Sequence, residues 1–283
     1  MSSFPADLPA AEPVVEPPVV EPPVVEIVQT LQQRVRQIES GRLAPMVATA
    51  ESTLEKPTAE RSVAVVSSCC GALDRLLPAG GFRRGTLVEW LANSSGSGAG
   101  TLALLVARQA ALEGGAVVVV DRNGWFYPLA AAALGMDLER IIVVRSGSAR
   151  DEIWALDQSL RCPGVAAVWS SLGDQIDQRD FRRLQLAAET GNSLGLLLRP
   201  ATVRGKPTWS DVQLLVEPRP ATSDHARCLH IQLTRCRGRL QPRTELDLEL
   251  GDNGEITAEP VQSAQRGKSA EQNSGSFDRE QLG

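Results

Sequence analysis

Between Lys56 and Lys206 the chain has no lysine at all. That absence excludes chemistry that needs an ammonium point charge anywhere in the segment. Histidine is almost as scarce, with only His225 and His230. The five cysteines (Cys69, Cys70, Cys162, Cys228 and Cys236) are odd in number and contain no C-x-x-C. A zinc site is therefore not expected, and the thiols should be reduced and mostly buried. No charged, apolar and cleavable order of segments opens the chain, and no apolar run reaches membrane-spanning length. The expectation is a cytoplasmic protein with no membrane contact. With a net charge of −5, a wide basic face is not expected either, although a local patch remains open.

The folded part is bounded by composition. Residues 12–26 repeat Glu-Pro-Pro-Val-Val, an extended polyproline-like pattern that lacks backbone donors, so 1–26 should be disordered. In 27–43, Ile27, Val28, Leu31, Val35 and Ile38 fall at spacings of three and four, which predicts one amphipathic helix. It either packs on its own core or docks on a partner. Residues 44–60 read as a linker, and the polar tail 259–283 as disordered. That leaves 61–258 as one domain.

Within it, Thr86–Leu91 is a hydrophobic strand that runs into a glycine/serine turn, Asn93–Gly100, and then into an apolar helix from Thr101. Backbone N–H groups at such a helix start cradle phosphates. The pattern G-x-x-x-x-G-K-[ST] laid on Asn93–Gly100 puts Ala99 at the lysine and Gly100 at the hydroxyl. A frame two residues later also fails, with Thr101 and Leu102 at those places.

Downstream, Ala116–Val120, Ile141–Val144, Val165–Trp169 and Leu194–Leu198 are short apolar runs suited to buried strands. They alternate with helices expected at Trp125–Leu134, Asp151–Cys162 and Asp180–Gly191. A short helix is expected within Cys69–Gly81. This order predicts an α/β fold with a mainly parallel sheet flanked by helices. Val212–Glu217 and Leu229–Leu233 have no helix between them and should add antiparallel edge strands at the C-terminal side.

Three stretches carry a resemblance to a known family. GALDRLLPAGGFRRGTLVEW resembles the lead-in to the phosphate loop of RecA-like ATPases of the P-loop NTPase type, and VVVVDRNGWFYPLAAAALGMDLERIIVV resembles the segment that follows it. Within that superfamily, Arg182–Pro200, Asp211–Pro218 and Leu233–Arg239 look like the ImuA-type accessories of error-prone translesion DNA synthesis.

The resemblance implies an ATPase site with four parts, and the residues here depart from it. Ser94, Ser95, Gly96, Gly98, Gly100 and Thr101 are the candidate phosphate loop. Loss of the lysine removes a charge-assisted bond of about 1.5–3 kcal/mol. Thr101 falls one residue late and on a helix points about 100° away. The strand Val165–Trp169 runs into Ser170 and Ser171, not a metal-holding Asp. Asn123 stands where the family places a glutamate, and an amide is no general base. Asp121 is expected to cap the next turn. No catalytic residue, no metal and no cofactor is assigned, with weak ATP binding as the alternative.

Arg235, Arg237 and Arg239 alternate, which would align them on one strand face. With Arg182 and Arg183, which open a helix, they are candidates for contact with a partner or a phosphate. Trp125 and Trp209 sit among turn residues as possible surface anchors. The resemblance then implies a non-catalytic adaptor in the DNA damage (SOS) response. Its partners would be a RecA-type recombinase and a Y-family-like error-prone polymerase. The alternatives are an ATP-binding protein that contacts single-stranded DNA and a regulator of cell division.

Overall fold

The computed structural model describes residues 28–29, 32–33, 64–94, 96–223, 226–238 and 244–258. Val28, Gln29, Gln32 and Gln33 are helical. The rest of the expected helix 27–43, the repeat 1–26, the linker 44–60 and the tail 259–283 lie outside the described residues.

Two short strands, β1 (Val65–Val66) and β2 (Phe82–Arg83), pair antiparallel around a short helix, α1 (Gly71–Leu76). The main sheet has nine strands. In chain order they are β3 (Leu87–Ala92), β4 (Ala116–Val120), β5 (Ile141–Val144), β6 (Val165–Ser171), β7 (Leu194–Pro200), β8 (Val212–Ser223), β9 (Ala226–Cys236), β10 (Thr244–Gly251) and β11 (Ile256–Ala258). Across the sheet they run β11-β10-β9-β8-β3-β7-β6-β4-β5. Every pairing from β8 to β5 is parallel, and β8 through β11 pair antiparallel. The helices are α2 (Ala99–Leu112), α3 (Pro128–Ala133), α4 (Ala149–Leu160) and α5 (Gln178–Gly191).

The run of valines in β4 shows why the parallel strands read as continuous apolar segments. Val117 and Val119 pack on the α2 side with Leu102 and Leu105. Val118 and Val120 pack on the α4–α5 side with Leu156 and Phe181. Both faces are covered, so no position is left for a polar side chain.

Several expectations need correction. Val212–Glu217 and Leu229–Leu233 do pair antiparallel, as expected, but the Val212 strand also pairs in parallel with β3 and so closes the parallel part of the sheet. Strand β5 is not buried on both faces. It is the sheet edge, and Val143 is 37% exposed. The helix expected from Trp125 starts at Pro128, whose ring cannot follow a helical residue without a clash and which holds Tyr127 extended (φ −113°, ψ 105°). Ser148 caps α4 by accepting the Asp151 N–H at 3.2 Å, so the helix starts at Ala149, two residues ahead of the expected Asp151. Asp177 does the same for α5 through the Arg179 N–H at 3.1 Å. Arg182 and Arg183 therefore lie in the second turn and do not open the helix. Strands β10 and β11 were not anticipated.

Candidate functional site

The turn between β3 and α2 is built on its glycines. Gly98, the cap of α2, has φ 89°, a region open to glycine at no steric cost. A Cβ there would lie 2.7 Å from Leu229 Cδ1, so the turn's backbone rests directly on β9. Ser97 Oγ accepts the Ala99 N–H at 3.3 Å, and the Leu102 N–H closes the first helical turn on the Gly98 carbonyl at 3.0 Å. Asn93 Nδ2 ties the turn's other end to Glu217 Oε1 at 2.6 Å. The Gly100 and Thr101 N–H groups, at the second and third helical positions, have no acceptor within the helix.

The turn lines a cavity of about 620 Å³ at the C-terminal ends of β3, β6 and β7, where ligands bind in open α/β sheets. Of the candidate phosphate-loop residues, Ser94, Gly96, Gly98, Gly100 and Thr101 line it. Ser95 lies outside the described residues. Asn123 is also in the wall, as are Arg122, Trp169, Arg199 and Arg227, which sequence reasoning did not single out. Arg122 had a signal, since it follows the strand-end Asp121. Arg227 had none, because β9 begins before the apolar run that marked it.

The three arginines differ in what they have left to offer. Arg199 donates to Glu89 Oε1 at 2.9 Å and to the Gly173 and Asp174 carbonyls at 3.3 and 3.1 Å. Glu89 is fully buried in β3 and also accepts from Thr208, Ser210 and Gln213 at 2.8–3.0 Å. Arg199 is thus a strut, with its charge neutralised inside the fold. Arg122 Nε donates to Glu152 Oε2 at 3.0 Å. Burial pushes the Glu152 carboxyl above its usual range, against the opposing pull of Arg122. Arg227 makes no ion pair among the described residues. The cavity's described lining contains neither lysine nor carboxylate.

Asp121 caps the following turn. Its Oδ1 accepts the Trp125 N–H at 3.0 Å, and its Oδ2 accepts the Phe126 N–H at 2.8 Å and Arg145 at 2.9 Å. Trp125 is 68% exposed. Trp209 is half-buried, with the Arg182 guanidinium 4.7 Å over its ring. Arg183 pairs within the fold, at 3.4 Å from Asp157 and 3.5 Å from Asp180. Strand β9 ends at Cys236, so Arg237 follows in a turn and does not continue the strand face of Arg235. The two nevertheless line one hollow beside Trp209. Arg239 lies outside the described residues. Among the described residues no His/Cys/Asp/Glu group is placed to hold a metal ion, and no helix is long and apolar enough to cross a membrane.

Residues 31–168 match the RecA N-terminal domain family. A RecA protein of Streptococcus agalactiae is 37% identical over 95 residues, which is 34% of this chain and 25% of that protein. RecA of Streptococcus pyogenes is 38% identical over 90 residues, or 32% and 24% of the two chains. The chain thus spans about a quarter of the length of the curated relatives it matches. The RadB recombinase crystal structure superposes with TM-score 0.53 at 21% identity, covering 68% of this chain and 98% of that one. The architecture is that of the RecA/RadB recombinases, a mainly parallel sheet flanked by helices with antiparallel C-terminal strands.

Proposed function

We propose that this chain is a non-catalytic RecA-like accessory protein of the DNA damage response. It acts as an adaptor between a RecA-type recombinase and a Y-family-like mutagenic polymerase in translesion synthesis. One observation supports it most: the turn that should handle a nucleotide keeps its backbone and presents the wrong side chains. Ala99 offers no ammonium, Gly100 no hydroxyl, and the cavity's described lining no carboxylate. That donor set does not fit magnesium bound to a triphosphate. Gly98 instead seats the turn against Leu229, so the same loop serves the packing of the sheet.

Thr101, the hydroxyl that follows Gly100, falls one residue past the position from which a metal would be held. Arg199 is the nearest buried cation, and Glu89 already neutralises it.

A second reading, weak nucleotide binding without hydrolysis, draws support from Arg122 and Arg227 in the cavity wall. Two measurements separate the readings. The full chain should retain both recombinase and polymerase in a pull-down, and failure with both discards the adaptor. A fluorescent ATP analogue should show no saturable binding below ~1 mM, the strength of a ligand worth about 4 kcal/mol.

A further inference from the structure

At the opposite end of the sheet from the cavity, two hollows meet at one arginine. The first, about 280 Å³, is formed by Trp209, Pro207, Gln178, Arg235 and Arg237. The second, about 370 Å³, is formed by Arg83, Gln185, Glu189, Asp211 and again Arg237. The backbone joins them, because the Arg237 N–H donates to the Asp211 carbonyl at 2.7 Å and the Asp211 N–H to the Leu87 carbonyl at 2.9 Å. Both therefore lie at the N-terminal ends of β3 and β8.

The cations there are under-used. Arg83 and Arg235 are exposed and make no ion pair among the described residues. Arg237 reaches Asp211 only at 3.5 Å and stays 53% exposed. Arg182 is spent on the Trp209 ring and on Gln185, so the ring is held in place as a half-buried apolar wall. The result is an apolar notch flanked by free guanidinium groups on a chain whose net charge is −5.

We propose that this double hollow docks an acidic segment of a partner protein, one apolar side chain against Trp209 with carboxylates reaching Arg83 and Arg235. The size and charge of the site favour a peptide over a nucleic-acid strand. Each hollow holds a side chain or two. Glu189 and Asp211 break the positive wall, so a continuous run of phosphates would meet like charge, while a short peptide needs only two carboxylates, placed at Arg83 and Arg235 and away from both. The proposal deepens the adaptor reading and rests on it for its biological meaning, but its chemistry is tested independently of any named partner.

The test is fluorescence anisotropy on the full chain with two probes, a fluorescein-labelled Glu-Asp-Leu-Asp-Glu peptide and a labelled oligo-deoxythymidine. The peptide should bind saturably, weaken with added salt, and weaken about tenfold or more in the doubly substituted Arg83→Glu, Arg235→Glu chain. These side chains are exposed, so the far-UV circular dichroism and melting point of the variant should match those of the parent. A second variant, Trp209→Ala, should weaken the peptide and leave the salt dependence in place. No peptide binding, or equal binding by the charge-reversed chain, overturns the proposal. So does an oligonucleotide that binds through these arginines while the peptide does not. If the peptide behaves as expected and the recombinase and polymerase pull-down fails, the docking site stands and the adaptor reading falls.

Discussion

Arg199 and Glu89 form a buried ion pair at 2.9 Å, their side chains 5% and 0% exposed, between adjacent parallel strands β7 and β3. The carboxylate's remaining capacity is filled by Thr208, Ser210 and Gln213, and the guanidinium's by the Gly173 and Asp174 carbonyls. This network pins the segment that enters β8 to the centre of the sheet. Removing one partner leaves a buried charge without compensation. Glu89→Ala should cost about 3–5 kcal/mol, and Arg199→Ala a similar amount. Replacing both with apolar residues of similar volume should cost much less than either alone. Urea unfolding of the three variants checks this. Additive losses would mean that the pair does not act as a unit.

Glu152 gives a pH dependence with a defined sign. Burial raises its carboxyl above the ordinary value of 4.5. The folded state therefore prefers the protonated form, and ionisation penalises folding. The penalty is absent below the unfolded value and grows as pH rises from 4.5 through the raised folded value. Glu152→Gln removes the ionisation and keeps an oxygen for Arg122. Its melting point relative to the parent should improve between about pH 4 and about pH 7. A difference that stays flat or runs the other way across that range contradicts the assignment.

The parallel half of the sheet was legible because its strands are buried on both faces. Ala116–Val120 and Leu194–Leu198 are apolar without interruption, and no helix of that length competes. The edge was harder. Ile141–Val144 is as apolar as its neighbours, yet nothing in four residues says that one side meets solvent. Strand β10 had a period-two signal in Leu246, Leu248 and Leu250, which pack on the α2 side, but charged residues between them masked it. The Glu89 network could not be read at all, since Thr208, Ser210 and Gln213 lie more than a hundred residues away in the chain. The turn between β3 and α2 was legible from its glycines. Its relation to Leu229 was invisible because long-range packing leaves no local pattern.

That packing separates two glycines of the same turn. Gly96 and Gly98 both have positive φ, 85° and 89°. An alanine at either pays roughly 1–2 kcal/mol for the left-handed backbone. At Gly96 the new methyl meets open space, while at Gly98 it comes 2.7 Å from Leu229 Cδ1. Gly98→Ala should therefore lose about 1 kcal/mol more than Gly96→Ala, with the difference reduced when Leu229 is trimmed to alanine. Guanidinium unfolding of the single and double variants measures both quantities. Equal losses for the two glycines would show that the turn does not bear on β9.

If the missing groups are what deny this turn its phosphates, restoring them should bring binding back. Ala99→Lys with Gly100→Ser rebuilds the ammonium and hydroxyl on the existing loop. Ala99 is only 1% exposed, but it sits in the first turn of α2 beside the cavity, so a lysine there has somewhere to reach. One charge-assisted contact of about 1.5–3 kcal/mol corresponds to roughly a 10- to 150-fold gain in affinity for a fluorescent ATP analogue. Hydrolysis should remain absent even then, because the cavity's described lining holds no carboxylate to position water. Adding Asn123→Glu would supply one at the cavity wall. Phosphate release that appears only in the triple substitution would identify the side chains, not the backbone, as the lost component. Turnover by the parent chain would contradict the adaptor reading at its root.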